Sequence, residues 1–250
     1  MGLTVVRLAA AGGVEVVGAI DSGASPHLGR DIGDLAGAGT LGVAIGADIA
    51  SGLLGADVVI DFSTAGAFDA ILRGAARSGV ALVSGTTRLE PASLALLDKS
   101  ALKIPVLWAP NMSVGVQVLA DVVRRAVAAL GDYDVEIVEA HHNQKTDAPS
   151  GTATMLVQAA ERGRAGLVAV HGREGDVGTR NPTEIGVHAV RGGGIVGDHT
   201  VHLVGQFDRI ELTHRAMSRE LFAAGALRAA RWLTGKSAGR YELAQMIAGD

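Results

Sequence analysis

The residues best able to do chemistry lie close together in "EAHHNQKTDAPSGTA", Glu139 to Ala153. Histidine titrates near ~6.5, so His141 and His142 can give or take a proton at neutral pH. A positioned acid of that kind contributes ~10²–10⁴ in rate. Lys145 adds a full positive charge to the same stretch. Ser150-Gly151-Thr152 then leads into an apolar helical pattern, with Ser150 or Thr152 as N-cap. The free N–H groups and the dipole of such a helix start favour an anion. The cluster therefore suits a ligand carrying carboxylate or phosphate. Taken singly, each residue is better read as an ordinary surface side chain or helix cap. Gathered within fifteen residues, they favour a site.

Metal binding is the competing chemistry. Seven of the eight histidines fall between 141 and 214, including His199 and His202. In a strand, positions i and i+3 face opposite sides, so that pair is poorly arranged for one ion. The lysine beside the other candidates opposes a divalent cation, and no metal is expected.

The elements that position these residues can be read from periodicity. "DVEIVEA" (134–140) reads as a strand ending beside His141, so the two histidines point in opposite directions. "EIGVHAV" (184–190), "HTVHLVG" (199–205) and "DRIELTH" (208–214) also include period-two alternation, which predicts a partly antiparallel sheet. Upstream the character differs. "VEVVGAID" (14–21), "DVVIDFS" (57–63), "VALVSGTT" (80–87) and "IPVLWAP" (104–110) alternate with helical segments at 66–79 and 91–101. That alternation predicts a parallel, doubly wound sheet. A helix at 114–130 follows it, and an apolar helical stripe at 219–235 closes the pattern. The expected fold class is α/β: a Rossmann-like nucleotide domain (1–112 and 220–250) with an inserted α+β domain (113–219) carrying a mixed open sheet.

Composition narrows the function. At 250 residues the chain can bury one large or two medium cores. Its 48% apolar and 19% charged residues indicate a globular protein. Its 35 glycines are about twice the usual share and suit the tight turns of nucleotide-binding folds. A net charge of -4 with two Tyr, two Trp and four Phe offers no nucleic-acid surface. The absence of cysteine excludes disulfides and thiolate chemistry and suits the cytoplasm. The start fails as a signal peptide because Arg7 lies inside the apolar run, Val6 breaks the myristoylation pattern, and no run approaches the ~20 residues of a membrane helix.

The stretch at 139–153 closely resembles the signature E-A-H-H-x-x-K-x-D-A-P-S-G-T-A of the 4-hydroxy-tetrahydrodipicolinate (dihydrodipicolinate) reductase family. "DFST" (61–64), "SGTT" (84–87), "APNMSVG" (109–115), "REG" (173–175), "IVGDHTV" (195–201) and "ELTHRAMSRELFAAGALRAARWL" (211–233) extend the likeness over nearly the whole chain. The resemblance implies hydride transfer from NADH or NADPH to a cyclic dicarboxylate in lysine and diaminopimelate biosynthesis, in a cytoplasmic homotetramer. It implies His141 as proton donor/acceptor with Lys145 as catalytic partner, and His142, Ser150, Gly151 and Thr152 around the substrate. It implies Asp21, Phe62, Ser63, Thr64, Gly85, Thr86, Thr87, Ala109, Pro110, Asn111, Met112, Arg219 and Phe222 around the cofactor. Asp21 would take the adenine ribose hydroxyls.

Three departures from the family pattern modify that expectation. Arg88 stands where the family has glycine, which is expected to alter that turn. Ser22 follows Asp21 where some members carry a base, which predicts a preference for NADH. Met1-Gly2 aligns with the last two residues of the family's G-x-x-G-R-M-G turn, and residues 2–11 read as the helix after it. On this alignment the first strand and most of the glycine loop are expected to be absent, as in a misassigned start or a truncated chain, with weaker folding and cofactor binding. A non-catalytic paralogue that lost its nucleotide grip is the alternative, and a reductase of a related dicarboxylate is a third reading.

Overall fold

A computed structural model describes residues 1–249. In chain order its elements are α1 (Gly2–Ala11), β1 (Ala19–Ile20), α2 (Ile32–Ala36), β2 (Ile45–Gly46), α3 (Ile49–Gly52), β3 (Val58–Asp61), α4 (Ala65–Ser78), β4 (Ala81–Ser84), α5 (Pro91–Ala101) and β5 (Pro105–Trp108). There follow α6 (Val114–Ala129), β6 (Asp134–His141), α7 (Gly151–Gly163), β7 (Val168–His171), β8 (Glu184–Arg191), β9 (Asp198–Val204) and β10 (Arg209–Arg215). The last three are α8 (Glu220–Leu233), β11 (Gly239–Tyr241) and α9 (Leu243–Ala248). The chain divides into two units, residues 1–112 with Glu220 onward, and residues 113–219.

The first unit is Rossmann-like. Strands β3, β4, β5 and β11 form a parallel sheet in the order β11-β5-β4-β3. Leu82 and Val106 lie in a core with Phe68 and Leu72 of α4 and with Leu97 and Ala101 of α5. Alternate strand residues Val83 and Leu107 are equally buried, as strands covered on both faces require. Helix α8 packs against β3, β4 and β5, and α1 packs against α8. The latter contact is tied by Arg7 to Glu220 at 2.6 Å and by Arg231 to the Gly12 carbonyl at 2.8 Å. Local chemistry explains the boundaries: α5 starts on Pro91, which suits the first helical turn. Helix α4 ends at Gly79 with φ 69°, a left-handed C-cap that glycine adopts freely.

The nucleotide-type sheet is not continuous. Of the strand expected at 14–21, only Ala19–Ile20 pairs, in parallel with Ile45–Gly46, and this pair forms a separate sheet. Among the described residues β1 has β2 as its one ladder partner, over two residues, and neither joins the β11-β5-β4-β3 sheet. Residues 2–11 form a helix, as their sequence indicates.

In the second unit the strand order is β10-β9-β6-β8-β7. Strands β6, β8 and β7 are mutually parallel, while β9 and β10 run antiparallel. Along β6, buried Val135, Ile137, Glu139 and His141 alternate with partly exposed Asp134, Glu136, Val138 and Ala140. The buried face packs with Ile185, Val201 and Leu203 against Val123 and Val127 of α6 and Leu156 and Ala160 of α7. Each large side chain so covered contributes ~1.5–3 kcal/mol. Strand β7, the run V-A-V-H, is too short to be separable by periodicity from a loop.

On the opposite face Glu136 gathers the "REG" segment. It accepts from both guanidinium nitrogens of Arg173 at 2.9 Å, from Arg180 at 3.0 Å and from His188 at 2.9 Å. Burial pushes its pKa up, but those donors prevail and hold it at about 2. Gly186 makes this possible, since a Cβ there would lie 1.8 Å from a Glu136 carboxylate oxygen. No helix among the described residues is long and apolar enough to cross a membrane.

Candidate active site

Strand β6 delivers His141 to its C-terminal end on the buried face, while His142 is only partly buried, so the two point apart. The buried carboxylate of Glu139, two residues earlier on the same face, accepts from His141 Nδ1 at 2.6 Å. It also accepts the Ser150 N–H at 3.1 Å and two bonds from Arg191, at 2.7 and 2.8 Å. Burial pushes the Glu139 pKa up, but Arg191, His141 and the Ser150 N–H bring it below the ordinary value. The side chain is therefore a carboxylate at neutral pH.

Ser150, not Thr152, caps α7: its hydroxyl oxygen accepts the Ala153 N–H at 3.1 Å. The same hydroxyl lies 2.9 Å from His199 Nε2. Lys145 reaches Asp147 at 2.8 and 2.9 Å, so its ammonium is stationed within the loop. The loop itself is pinned where Arg191 donates to the Asp147 carbonyl at 2.7 Å and the His142 N–H bonds the Ile195 carbonyl at 2.8 Å. His141, His142, Lys145, Ser150, Gly151 and Thr152 are thus drawn together at one strand end and one helix start. A pair of carboxylates on a small molecule could be met there by cations and N–H donors, with an imidazole as proton source.

His199 lies on the buried face of β9, its ring edge-on to His141 with centroids 5.1 Å apart. His202 faces the other side, 3.5 Å from Glu211, so these two histidines do not share one site. Burial, then the nearby His141, push the His199 pKa down from 6.5 to about 4. Its Nδ1 is buried without a partner in the described residues, so protonation would add an unsatisfied N–H.

The first unit collects its expected residues at the C-terminal ends of strands, where ligands of open α/β sheets bind. Phe62, Ser63 and Thr64 follow β3, Gly85, Thr86 and Thr87 follow β4, and Ala109 to Met112 follow β5. Phe222 lies in the first turn of α8, whereas Arg219 ends the second unit. Asp61, which sequence reasoning passed over, organises the first two loops. Its buried carboxylate accepts from the Ser63 N–H at 2.8 Å, Ser84 Oγ at 2.7 Å and Thr86 Oγ1 at 2.8 Å. Trp108 Nε1 donates to the Thr86 carbonyl at 2.8 Å, joining the third strand end. Asp21 follows β1, its oxygens held by the Ser22 N–H and the Ser25 hydroxyl, each at 2.7 Å. Those bonds lower its pKa and keep it anionic.

These residues fit a dinucleotide. A Cβ on Gly85 would lie 2.3 Å from the Phe62 ring, so the loop backbone closes on that ring only because glycine stands there. Thr64 caps α4 without a side-chain bond to its first N–H groups. Arg88 itself adopts φ 60°, the left-handed backbone that glycine takes without steric cost.

Residues 1–112 match the model described as "Dihydrodipicolinate reductase, N-terminus", and residues 115–247 match "Dihydrodipicolinate reductase, C-terminus". The chain belongs to the dihydrodipicolinate reductase family. A protein of Anaeromyxobacter dehalogenans strain 2CP-C named 4-hydroxy-tetrahydrodipicolinate reductase is 49% identical, with 99% of this chain and 93% of the relative covered. One of that name from Alkalilimnicola ehrlichii is 48% identical over 95% of this chain and 90% of the relative. Among solved structures, the dipicolinate-bound dihydrodipicolinate reductase of Paenisporosarcina sp. TG-14 shares the fold, with a TM-score of 0.75 at 22% identity over 97% of this chain and 94% of that one.

Glu139, Arg191 and Asp61 were not singled out in the sequence, although Glu139 opens the signature, and His199 was weighed there only as a metal ligand. The signal for Glu139 was its spacing: residues i and i+2 of a strand share a face.

His199 predicts an acid instability. Its folded pKa lies below its unfolded one, so the unfolded chain binds the extra proton as pH falls from 6.5 towards about 4. Stability lost over that window is on the order of 3 kcal/mol. Denaturant unfolding across it should show a steeper decline for the wild type than for His199→Asn; equal slopes would contradict the assignment.

Proposed function

We propose that this chain reduces 4-hydroxy-tetrahydrodipicolinate to tetrahydrodipicolinate with NADH or NADPH. The observation that carries the reading is the union of His141, Lys145 and the α7 start around one carboxylate-held loop. When bound, the reduced nicotinamide supplies the hydride. Phe62 to Thr64, Gly85 to Thr87, Ala109 to Met112, Arg219 and Phe222 hold the cofactor, and Asp21 takes its adenine ribose. His142, Gly151 and Thr152 orient the substrate carboxylates, joined by Ser150 through the helix start it caps. His141 hands over the proton that accompanies the hydride, and Lys145 holds negative charge beside it. The substrate hydroxyl leaves as water, so atoms and charge balance.

Finer features of the reading follow from particular residues. Asp21 beside Ser22 repels a 2′-phosphate and supplies no cation to it, which supports NADH as the preferred cofactor. The open face of the β10-β9-β6-β8-β7 sheet, with Val190 and Val168 exposed, supports assembly into a homotetramer. The reaction belongs in the cytoplasm on this reading.

Three measurements test it. Freshly generated substrate should cause loss of NADH near-ultraviolet absorbance, with kcat falling roughly 10²-fold or more in His141→Gln and in Lys145→Ala; turnover indifferent to both would remove the site assignment. NADH should bind about tenfold more tightly than NADPH, a difference of ~1.4 kcal/mol, in direct titrations; tighter NADPH binding would reverse the Asp21 argument. Light scattering should give a mass four times that of the chain, and a monomer would exclude the assembly.

A further inference from the structure

His141 presents Nδ1 to a buried carboxylate and turns Nε2 towards Gly197 of the β8–β9 connection. Glu139 is fully buried, and its Oε2 sits 2.6 Å from His141 Nδ1. On the far side of the ring, a Cβ at Gly197 would lie 3.0 Å from Nε2 and 3.4 Å from Cδ2. Glycine at 197 thus leaves Nε2 uncovered by a side chain from the β8–β9 connection. Glu139 does not act alone. Arg191, at the end of β8, grips both carboxylate oxygens and also the Asp147 carbonyl of the Lys145 loop.

We infer that Glu139 and Arg191 are positioning residues for His141, holding its proton on Nδ1 so that Nε2 alone exchanges with the substrate. The inference rests on the reading above that His141 supplies the proton. A carboxylate only accepts, so a hydrogen bond to it requires Nδ1–H. Neutral His141 then has its lone pair on Nε2, on the side where glycine at 197 brings no side chain against it. When Nε2 gains a proton, the cation lies against Glu139; when Nε2 releases it to the substrate, the neutral Nδ1–H form remains in the same orientation. No ring flip or tautomer change is needed between turnovers.

Arg191 has a separate task. A buried carboxylate facing a neutral imidazole would otherwise be an uncompensated charge and would tend to take a proton. With Arg191 bidentate upon it, Glu139 stays ionised whichever form His141 takes. The charged and titratable groups around the ring are Glu139 on its own strand, Arg191 on β8, His199 edge-on from β9 with His214 of β10 beyond it, and Lys145 with Asp147 in the loop. Of these, Glu139 is the one bonded to the ring. His199 is kept neutral by burial and so adds no competing cation.

Nitrogen-15 spectroscopy of the wild-type imidazoles, with His141 assigned by comparison with His141→Gln, should show neutral His141 as the Nδ1–H tautomer. A neutral Nε2–H form would overturn the inference, and this measurement needs no Glu139 variant to fold. In Glu139→Gln the ring should lose that preference. Its kcat should fall roughly 10²-fold or more with KM changed by less than about threefold, while Glu139→Asp recovers part of the loss. A Glu139→Gln enzyme with an unchanged pH profile and kcat would also overturn it. If the wild type itself does not oxidise NADH with the substrate, the functional reading fails, and the tautomer result still decides this inference.

Discussion

The site of the second unit depends on one buried carboxylate. Glu139 receives bonds from an imidazole, a guanidinium and a helix N-terminal N–H, and each donor comes from a different element. An ionised group withdrawn from water persists only if its lone pairs are filled by such donors. Satisfying Glu139 therefore fixes where β8 ends, where α7 begins and how the His141 ring is turned. The fold and the chemistry share the same hydrogen bonds.

Asp61 plays the parallel part in the first unit. It is likewise a buried acid at a strand end, and it joins the "DFST" and "SGTT" loops through Ser63, Ser84 and Thr86. Loops at the ends of parallel strands have no ladder to shape them, so a shared acceptor supplies the missing constraint. Glu136 repeats the device on the open face of the second sheet, where Arg173 and Arg180 bring the 172–183 segment against the strands. Glycines stand close to these groups or to the rings near them: Gly186 against the Glu136 carboxylate, Gly85 against the Phe62 ring and Gly197 against the His141 ring. This accounts for part of the glycine excess in the composition, since close approach of polar groups to backbone excludes a Cβ.

Much of the fold was legible in the sequence because its signals are local. Period-two alternation in "DVEIVEA" predicted a strand with one buried face, and β6 shows that alternation residue by residue. Helices at 91–101 and 114–129 were marked by Pro91 and by long apolar stripes. The strand expected at 14–21 was not formed at that length, because β-branched composition makes a strand only where a neighbour completes the ladder. Strand β1 has such a neighbour over two residues, in β2. Short elements such as β7 and α3 carry too few residues for a period to be seen.

The sequence by itself determined the family, the α/β class, and the side chains that meet at the end of β6, because the His-His-Lys and Ser-Gly-Thr spacing is contiguous in the chain. Tertiary structure alone decided which partners those side chains have. Arg191 is 52 positions from Glu139, and His199 is 49 from Ser150, yet both bonds are under 3 Å. Adjacent strands set those distances, and strand register is a property of the folded sheet. Likewise, that His199 is neutral and Glu139 charged could not be read from residue type. Burial disfavours charge on both, and the donors brought to Glu139, with the Arg191 guanidinium first among them, reverse its effect.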